Sequence, residues 1–114
     1  MNISKFTQKS IEAVQGCEKL AYEYGNQEIE QEHLLAALLQ QDDGLILKLI
    51  EKMEIQKQHF VDNVLRHLSA RVKVSGGQVF IGQALNKVLI HAEDEAKQMG
   101  DEYVSVEHLF LSIM

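Results

Sequence analysis

The chain has 114 residues, a length that suits one domain built around one hydrophobic core. Hydrophobic residues make up 46% and charged residues 25%, a globular balance rather than a disordered one. Acidic side chains outnumber basic ones 17 to 11, a net charge of −6. That argues against nonspecific nucleic-acid binding, whose affinity comes from Lys and Arg neutralising phosphates.

The opening MNISKFTQKS has no apolar run fit for a signal peptide. No stretch approaches the roughly 18 apolar residues of a membrane span. Cys17 is the single cysteine, so no internal disulfide can form, which fits a reducing compartment. The expectation is a soluble protein of the cytoplasm with no membrane partner.

There is no proline, and helical periodicity begins at once. Ile11, Val14, Cys17 (with Ala13), Leu20, Ala21 and Tyr24 make one apolar stripe, predicting a helix over 7–24. Thr7 is its expected N-cap, because a hydroxyl can accept from a first-turn amide. Gly25 is its expected stop. Gly16 sits mid-helix at a cost of about 1 kcal/mol, which tight packing against a neighbour would offset.

A second helix is predicted over 31–40, burying Leu34, Leu35, Leu38 and Leu39. A third covers Leu45 to Lys52. A fourth covers about Lys57 to Ser69, through Phe60, Val61, Val64, Leu65 and Leu68. Residues 70–81, ARVKVSGGQVFI, alternate valine with polar residues around Gly76-Gly77 and read as a loop, with room for a short extended piece. A fifth helix runs from Gln83 to Met99 and stops at Gly100. The last starts at Ser105 and reaches the chain end.

The chain repeats itself at an offset of 75 residues. Gln8 matches Gln83, Glu18 matches Glu93, Ala21 matches Ala96 and Gly25 matches Gly100. Glu32-His33-Leu34 matches Glu107-His108-Leu109. The matches fall on helix-packing positions, the stopping glycine and the next helix start, which marks a duplicated helix–turn–helix unit. The fold expected is all-α: two helical repeats related by a pseudo-twofold axis within one domain spanning 1–114. Repeat one covers about 6–70, a loop 71–81, and repeat two begins near 82. Repeat two ends on the apolar LFLSIM, which is read as an incomplete repeat of a longer chain.

The segments FTQKSIEAV, CEKLA and GNQEIEQEHLLAALL, followed by LNKVLIHAEDEAKQMGDEYVSVEHLFLSI, resemble the N-terminal domain of the Clp ATPases, most nearly that of the ClpB disaggregase group. The resemblance covers essentially the whole chain. It implies two Clp repeats joined by a flexible linker to AAA+ modules that form a hexameric ring. The implied role is to contact unfolded or aggregated polypeptide and pass it to the ring, beside a DnaK-type chaperone. ATP and magnesium would belong to the full-length parent; this segment would need no cofactor, would not be an enzyme, and would be monomeric in isolation. The alternative is an adaptor- or phosphoarginine-binding domain of a ClpC- or ClpA-type unfoldase. Three departures stand out. Gln31 replaces a common proline, Gly82 a common Ser or Thr, and the loop lacks its usual proline.

Candidate site residues follow, each beside a plainer role. Glu32 and Glu107 are either a carboxylate pair facing a cationic ligand or first-turn acids that favour the helix dipole by about 0.3–1 kcal/mol. The resemblance places Thr7, Asp101 and Glu107 near a polypeptide-binding surface; otherwise Thr7 is a cap and Asp101 a turn residue. Val72, Val74, Val79 and Phe80 either fold onto the core or line a groove for apolar segments. His59 with His67, and His91 with Glu95, offer too few ligands for a tetrahedral metal site. Cys17 reads as a small buried residue. No Gly-Lys-Ser/Thr occurs, so the chain supplies no phosphate loop.

Overall fold

The computed structural model describes residues 3–42, 44–73 and 78–113. A 3-10 turn at Ile3–Lys5 leads into α1 (Gln8–Glu23), β1 (Glu28–Ile29), α2 (Gln31–Leu39), α3 (Leu45–Lys52), α4 (Lys57–Ala70), β2 (Phe80–Ile81), α5 (Gln83–Gln98) and α6 (Val106–Ile113). The architecture is all-α, and the helices fall within a residue or two of their expected bounds.

Thr7 caps α1 as expected. Its backbone is extended, and its Oγ1 accepts from the Ser10 N–H at 3.2 Å. Gly25 and Gly100 end the first helix of each repeat with φ of +70° and +73°, the left-handed conformation that a Cβ disfavours. Gly16 meets its neighbour as anticipated: a Cβ there would lie 3.3 Å from Ala37 Cβ. The missing side chain lets α1 and α2 approach.

The second helix differs from its predicted single buried face. Leu34, Leu38 and Leu39 are buried and Leu35 only half so, yet Ala36 and Ala37 are buried too. The reason is position. α2 touches α1, α3, α4, α5 and α6, so it is covered on nearly every side and packs through small residues where neighbours come closest. The core gathers around it from both repeats, with Leu20, Ala21, Ile46, Ile50, Leu68, Leu85, Leu89, Val104 and Leu109.

The repeats also exchange backbone hydrogen bonds reciprocally. β1 pairs in parallel with β2, Glu28 opposite Phe80 and Ile29 opposite Ile81. Phe6 forms a parallel bridge with Val104. The Thr7 N–H donates to the Val104 carbonyl at 2.9 Å, and the Gly82 N–H donates to the Ile29 carbonyl at 2.9 Å. At the 75-residue offset these are the same bond, made once from each repeat. The short extended piece in 70–81 is therefore Phe80–Ile81, and its partner strand at Glu28–Ile29 carries no periodic signal. Val74 and Gly76-Gly77 lie outside the described residues.

Gly100→Ala and Gly25→Ala test the two helix stops. Each should cost roughly 1–2 kcal/mol from left-handed strain. The two costs should be similar, because a Cβ at position 25 would meet Lys73 only at an ordinary van der Waals distance of 3.5 Å and position 100 is open. Urea unfolding of both variants measures the difference.

Candidate functional site

The Glu-His pairs divide their labour. His33 sits at the third position of α2, where its Nδ1 accepts the Glu30 backbone N–H at 2.8 Å. The Glu30 side chain accepts in return from the backbone of His33, closing a reciprocal cap. Because Nδ1 is an acceptor, Nε2 carries the proton and donates to Asn26 Oδ1 at 3.0 Å. The second repeat places its histidine bonds in the same way. The Ser105 N–H donates to His108 Nδ1 at 2.9 Å, and His108 Nε2 faces Asp101 Oδ2 at 2.8 Å. Histidine, not glutamate, is thus the structural member of each pair. The signal in the sequence is an Asn or Asp seven residues before each histidine.

The glutamates point elsewhere and differ. Glu32 Oε2 lies 3.6 Å from Arg71 Nη1, and Glu30 Oε1 lies 3.6 Å from Arg71 Nη2. Glu107 is exposed, and its hydrogen-bond partner among the described residues is the Ser105 hydroxyl at 3.3 Å. Asp101 is bound to His108 yet keeps a half-exposed carboxylate.

Strand alternation puts Glu28 and Glu30 on one face, since Ile29 between them is buried. Both reach the Cα of Gly82. A Cβ there would stand 2.5 Å from Glu28 Oε1 and 2.8 Å from Glu30 Oε1. The glycine at 82 leaves its space to two carboxylates. Partial burial first, then the bond to Glu28 and its charge, push the Glu30 carboxyl up from its ordinary value, while Arg71 opposes them. Burial first, and then the charge of Arg71, hold His33 below the ordinary imidazole value.

A cleft of about 510 Å³ opens beside this group, lined by Asn26, Gln27, Glu28, Ala70, Arg71, Val72 and Phe80. Val72 is 83% exposed and Phe80 51% exposed, so neither folds onto the core. Val79 does pack against the core, beside Tyr22 on the outer face of α1. The anticipated residues therefore fall at two ends. Glu32 and Phe80 lie at the β1–β2 end. Thr7, Asp101 and Glu107 lie at the Phe6–Val104 end, where Ser10 Oγ also donates to the Val104 carbonyl at 2.8 Å. Arg71, Asn26, Glu28 and Glu30 are the additions that periodicity did not reveal. Cys17 is buried, bonds the Ala13 carbonyl at 3.3 Å, and has its thiol pushed up to about 12 by burial, which removes it as a nucleophile at neutral pH.

Residues 5–114 match the family described as the Clp repeat (R) N-terminal domain. The ClpB chaperone of Nitratidesulfovibrio vulgaris is 41% identical over 119 residues, covering 100% of this chain and 14% of that protein. The Hsp104 N-terminal domain from Candida albicans superposes with a TM-score of 0.87 at 23% identity, over 95% of this chain and 72% of that one. The N-terminal domain of the ClpV1 ATPase from E. coli EAEC also gives 0.87, at 22% identity, over 97% and 68%. The chain thus spans about one-seventh of the length of its full-length relative.

Removing the imidazoles tests the caps. His33→Ala strands the Glu30 N–H and Asn26 Oδ1 and empties a fully buried site, for an expected loss of about 2–4 kcal/mol in urea unfolding. His108→Ala should cost less, because Asp101 is half in water. Acidity supplies a second check. Below the unfolded imidazole value of about 6.5, the unfolded chain takes up a proton that folded His33 refuses. Its share of stability is therefore present above that pH and falls as pH drops toward the lowered folded value. Glu30 has the opposite sign: its raised carboxyl favours the fold at low pH and loses that contribution as pH rises through the folded value. The acid-side loss assigned to His33 should be absent from the His33→Gln variant.

Proposed function

The chain belongs to the Clp repeat N-terminal domain family, and from that membership we propose that it is the substrate-recognition domain of a ClpB-type ATP-dependent disaggregase. The domain is non-catalytic. It contacts unfolded or aggregated polypeptide and delivers it to a hexameric AAA+ ring, where ATP and magnesium act, in cooperation with a DnaK-type chaperone in the cytoplasm. The observation that carries the reading is the cleft bounded by Phe80 and Val72, where exposed apolar side chains stand beside Glu28 and Arg71. Such a mixed rim suits weak contact with many polypeptide segments, since apolar surface supplies affinity without demanding one sequence. The 41% identity to a ClpB chaperone along the full length of this chain supports that parent class.

A second reading, phosphoarginine capture through Glu32 and Glu107 as in ClpC-type domains, is favoured by one observation. Glu107 is an exposed carboxylate on a helix start, unpaired with a cation among the described residues. Its repeat mate weakens the symmetric version, because Glu32 already faces Arg71. Calorimetry with free phosphoarginine separates the two; heat abolished by Glu107→Ala would favour this second reading.

Nuclear magnetic resonance titration with a permanently unfolded polypeptide tests the first. Shifts should concentrate at Phe80, Ile81, Val72 and the 101–107 segment. Phe80→Asp should weaken binding about tenfold, a loss of roughly 1.4 kcal/mol, while leaving stability nearly unchanged at so exposed a position. Thr7→Ala should instead cost about 1 kcal/mol of stability through its lost cap. Shifts confined to α3 and α4 would overturn the reading.

A further inference from the structure

The small sheet that joins the repeats has an open edge. The Phe80 N–H donates to the Gln27 carbonyl and the Gly82 N–H to the Ile29 carbonyl, both at 2.9 Å. In a parallel pair, alternate residues turn their N–H and C=O toward the partner strand. Phe80 and Gly82 turn toward β1, so Ile81 between them turns both of its backbone groups away. Neither group has a hydrogen-bond partner among the described residues.

The side chains report the same opening. Ile29 and Ile81 are register partners, so their side chains share one face of the sheet. Ile29 is 5% exposed on that face and Ile81 is 42% exposed. The face is therefore covered by the core, and Ile81 is bare along its outer flank. On the opposite face Phe80 stands exposed across from Glu28.

Edge strands are ordinarily guarded by a lysine, a proline or a bulge. Residues 79–81 read Val-Phe-Ile and hold neither lysine nor proline. Their mates at the 75-residue offset are Ser4-Lys5-Phe6. There an exposed Lys5 stands in the place of Phe80, and a buried Phe6 in the place of Ile81. The duplicated unit thus shows a closed form of this edge, and residues 79–81 depart from it.

A free N–H and C=O between two exposed apolar side chains fit another backbone. A helix has used its own backbone groups internally. An extended segment has both to offer. A second copy of this chain is the less fitting source, because each copy carries a net charge of −6 and holds Glu28 and Glu30 on the neighbouring strand.

We propose that the outer edge of β2 takes up an extended segment of unfolded polypeptide as a third strand. Ile81 N–H and C=O make the backbone bonds, and Phe80 and Ile81 hold side chains on the two faces. The proposal rests on the polypeptide-recognition reading and adds the conformation in which the ligand is held. Backbone pairing serves many sequences, since every segment except one rich in proline offers the same groups.

The test uses the full chain and a short unstructured peptide that alternates valine and threonine. Its match is a depsipeptide with the same side chains and esters in place of the central amides, which removes the donors. With nine-tenths of the chain bound to the peptide, exchange of the Ile81 amide hydrogen should slow about tenfold. The depsipeptide should bind about tenfold more weakly. Ile81→Pro removes an N–H that no bond within the described residues uses, at an edge position where proline is tolerated. It should weaken peptide binding about tenfold, and Ile81→Ala, which keeps the N–H, should weaken it less. If Ile81→Pro does not fold, the depsipeptide decides. Equal binding of peptide and depsipeptide, with Ile81 exchange unchanged, overturns strand addition and leaves the recognition reading in place through side-chain contact. No binding of this peptide or of a permanently unfolded polypeptide overturns both. Protection of Ile81 that rises with protein concentration in the absence of peptide assigns the edge to a second copy and overturns the proposal.

Discussion

Two backbone hydrogen bonds hold the architecture together. The first helix of each repeat starts with amides that its own helix cannot satisfy. Thr7 N–H finds the Val104 carbonyl, and Gly82 N–H finds the Ile29 carbonyl. Each repeat completes the other's helix entry. Drawing the repeats apart would break both bonds and open the core around α2, so the duplicated units behave as one cooperative body. The same exchange fixes the surface. It brings β2 alongside β1, which sets Phe80 at the rim of the cleft and Glu28 and Glu30 under Gly82.

The caps translate that constraint into polar chemistry. A histidine at the third helical position reaches back to the amide that precedes the helix, the role a glutamate takes in the usual reciprocal cap. With histidine there, the adjacent glutamate is released from structural duty and points outward. Glu32 and Glu107 are free of the cap because His33 and His108 have taken it. The two readings of the pair, structural and chemical, belong to different residues of the same dipeptide.

The helices were legible because their information is periodic. Apolar spacing gave the faces of α1 and α4, and glycines gave the stops at 25 and 100. The 75-residue offset gave the pairing of the repeats. What escaped has no period. A strand of two residues, Glu28–Ile29, is too short to alternate visibly. Arg71 ends a helix and acts through its long side chain, so its partners are set by the fold rather than by spacing. Val79 and Phe80 read as one apolar unit, yet adjacent residues of an extended segment face opposite ways. Val79 reached the core and Phe80 reached solvent. The histidine caps escape the familiar motif, which names Glu or Gln, although an imidazole nitrogen meets the same geometric need.

Duplication produces two equal ends, and this chain has made them unequal with few changes. At one end an amide, Asn26, shares itself between an imidazole and a backbone carbonyl, and Glu30 closes the cap. At the other an acid, Asp101, faces the imidazole, and a serine, Ser105, stands where Glu30 does. The difference is electrostatic before it is structural. Burial and the nearby charge of Arg71 hold His33 below the ordinary imidazole value. Phe6 is buried at the second end, whereas its repeat mate Ile81 is 42% exposed at the first. The exposed apolar side chains Phe80 and Ile81 therefore lie at the same end as Glu28 and Glu30, and the exposed Glu107 lies at the other. Two ends whose backbones are copies thus present different side-chain chemistry.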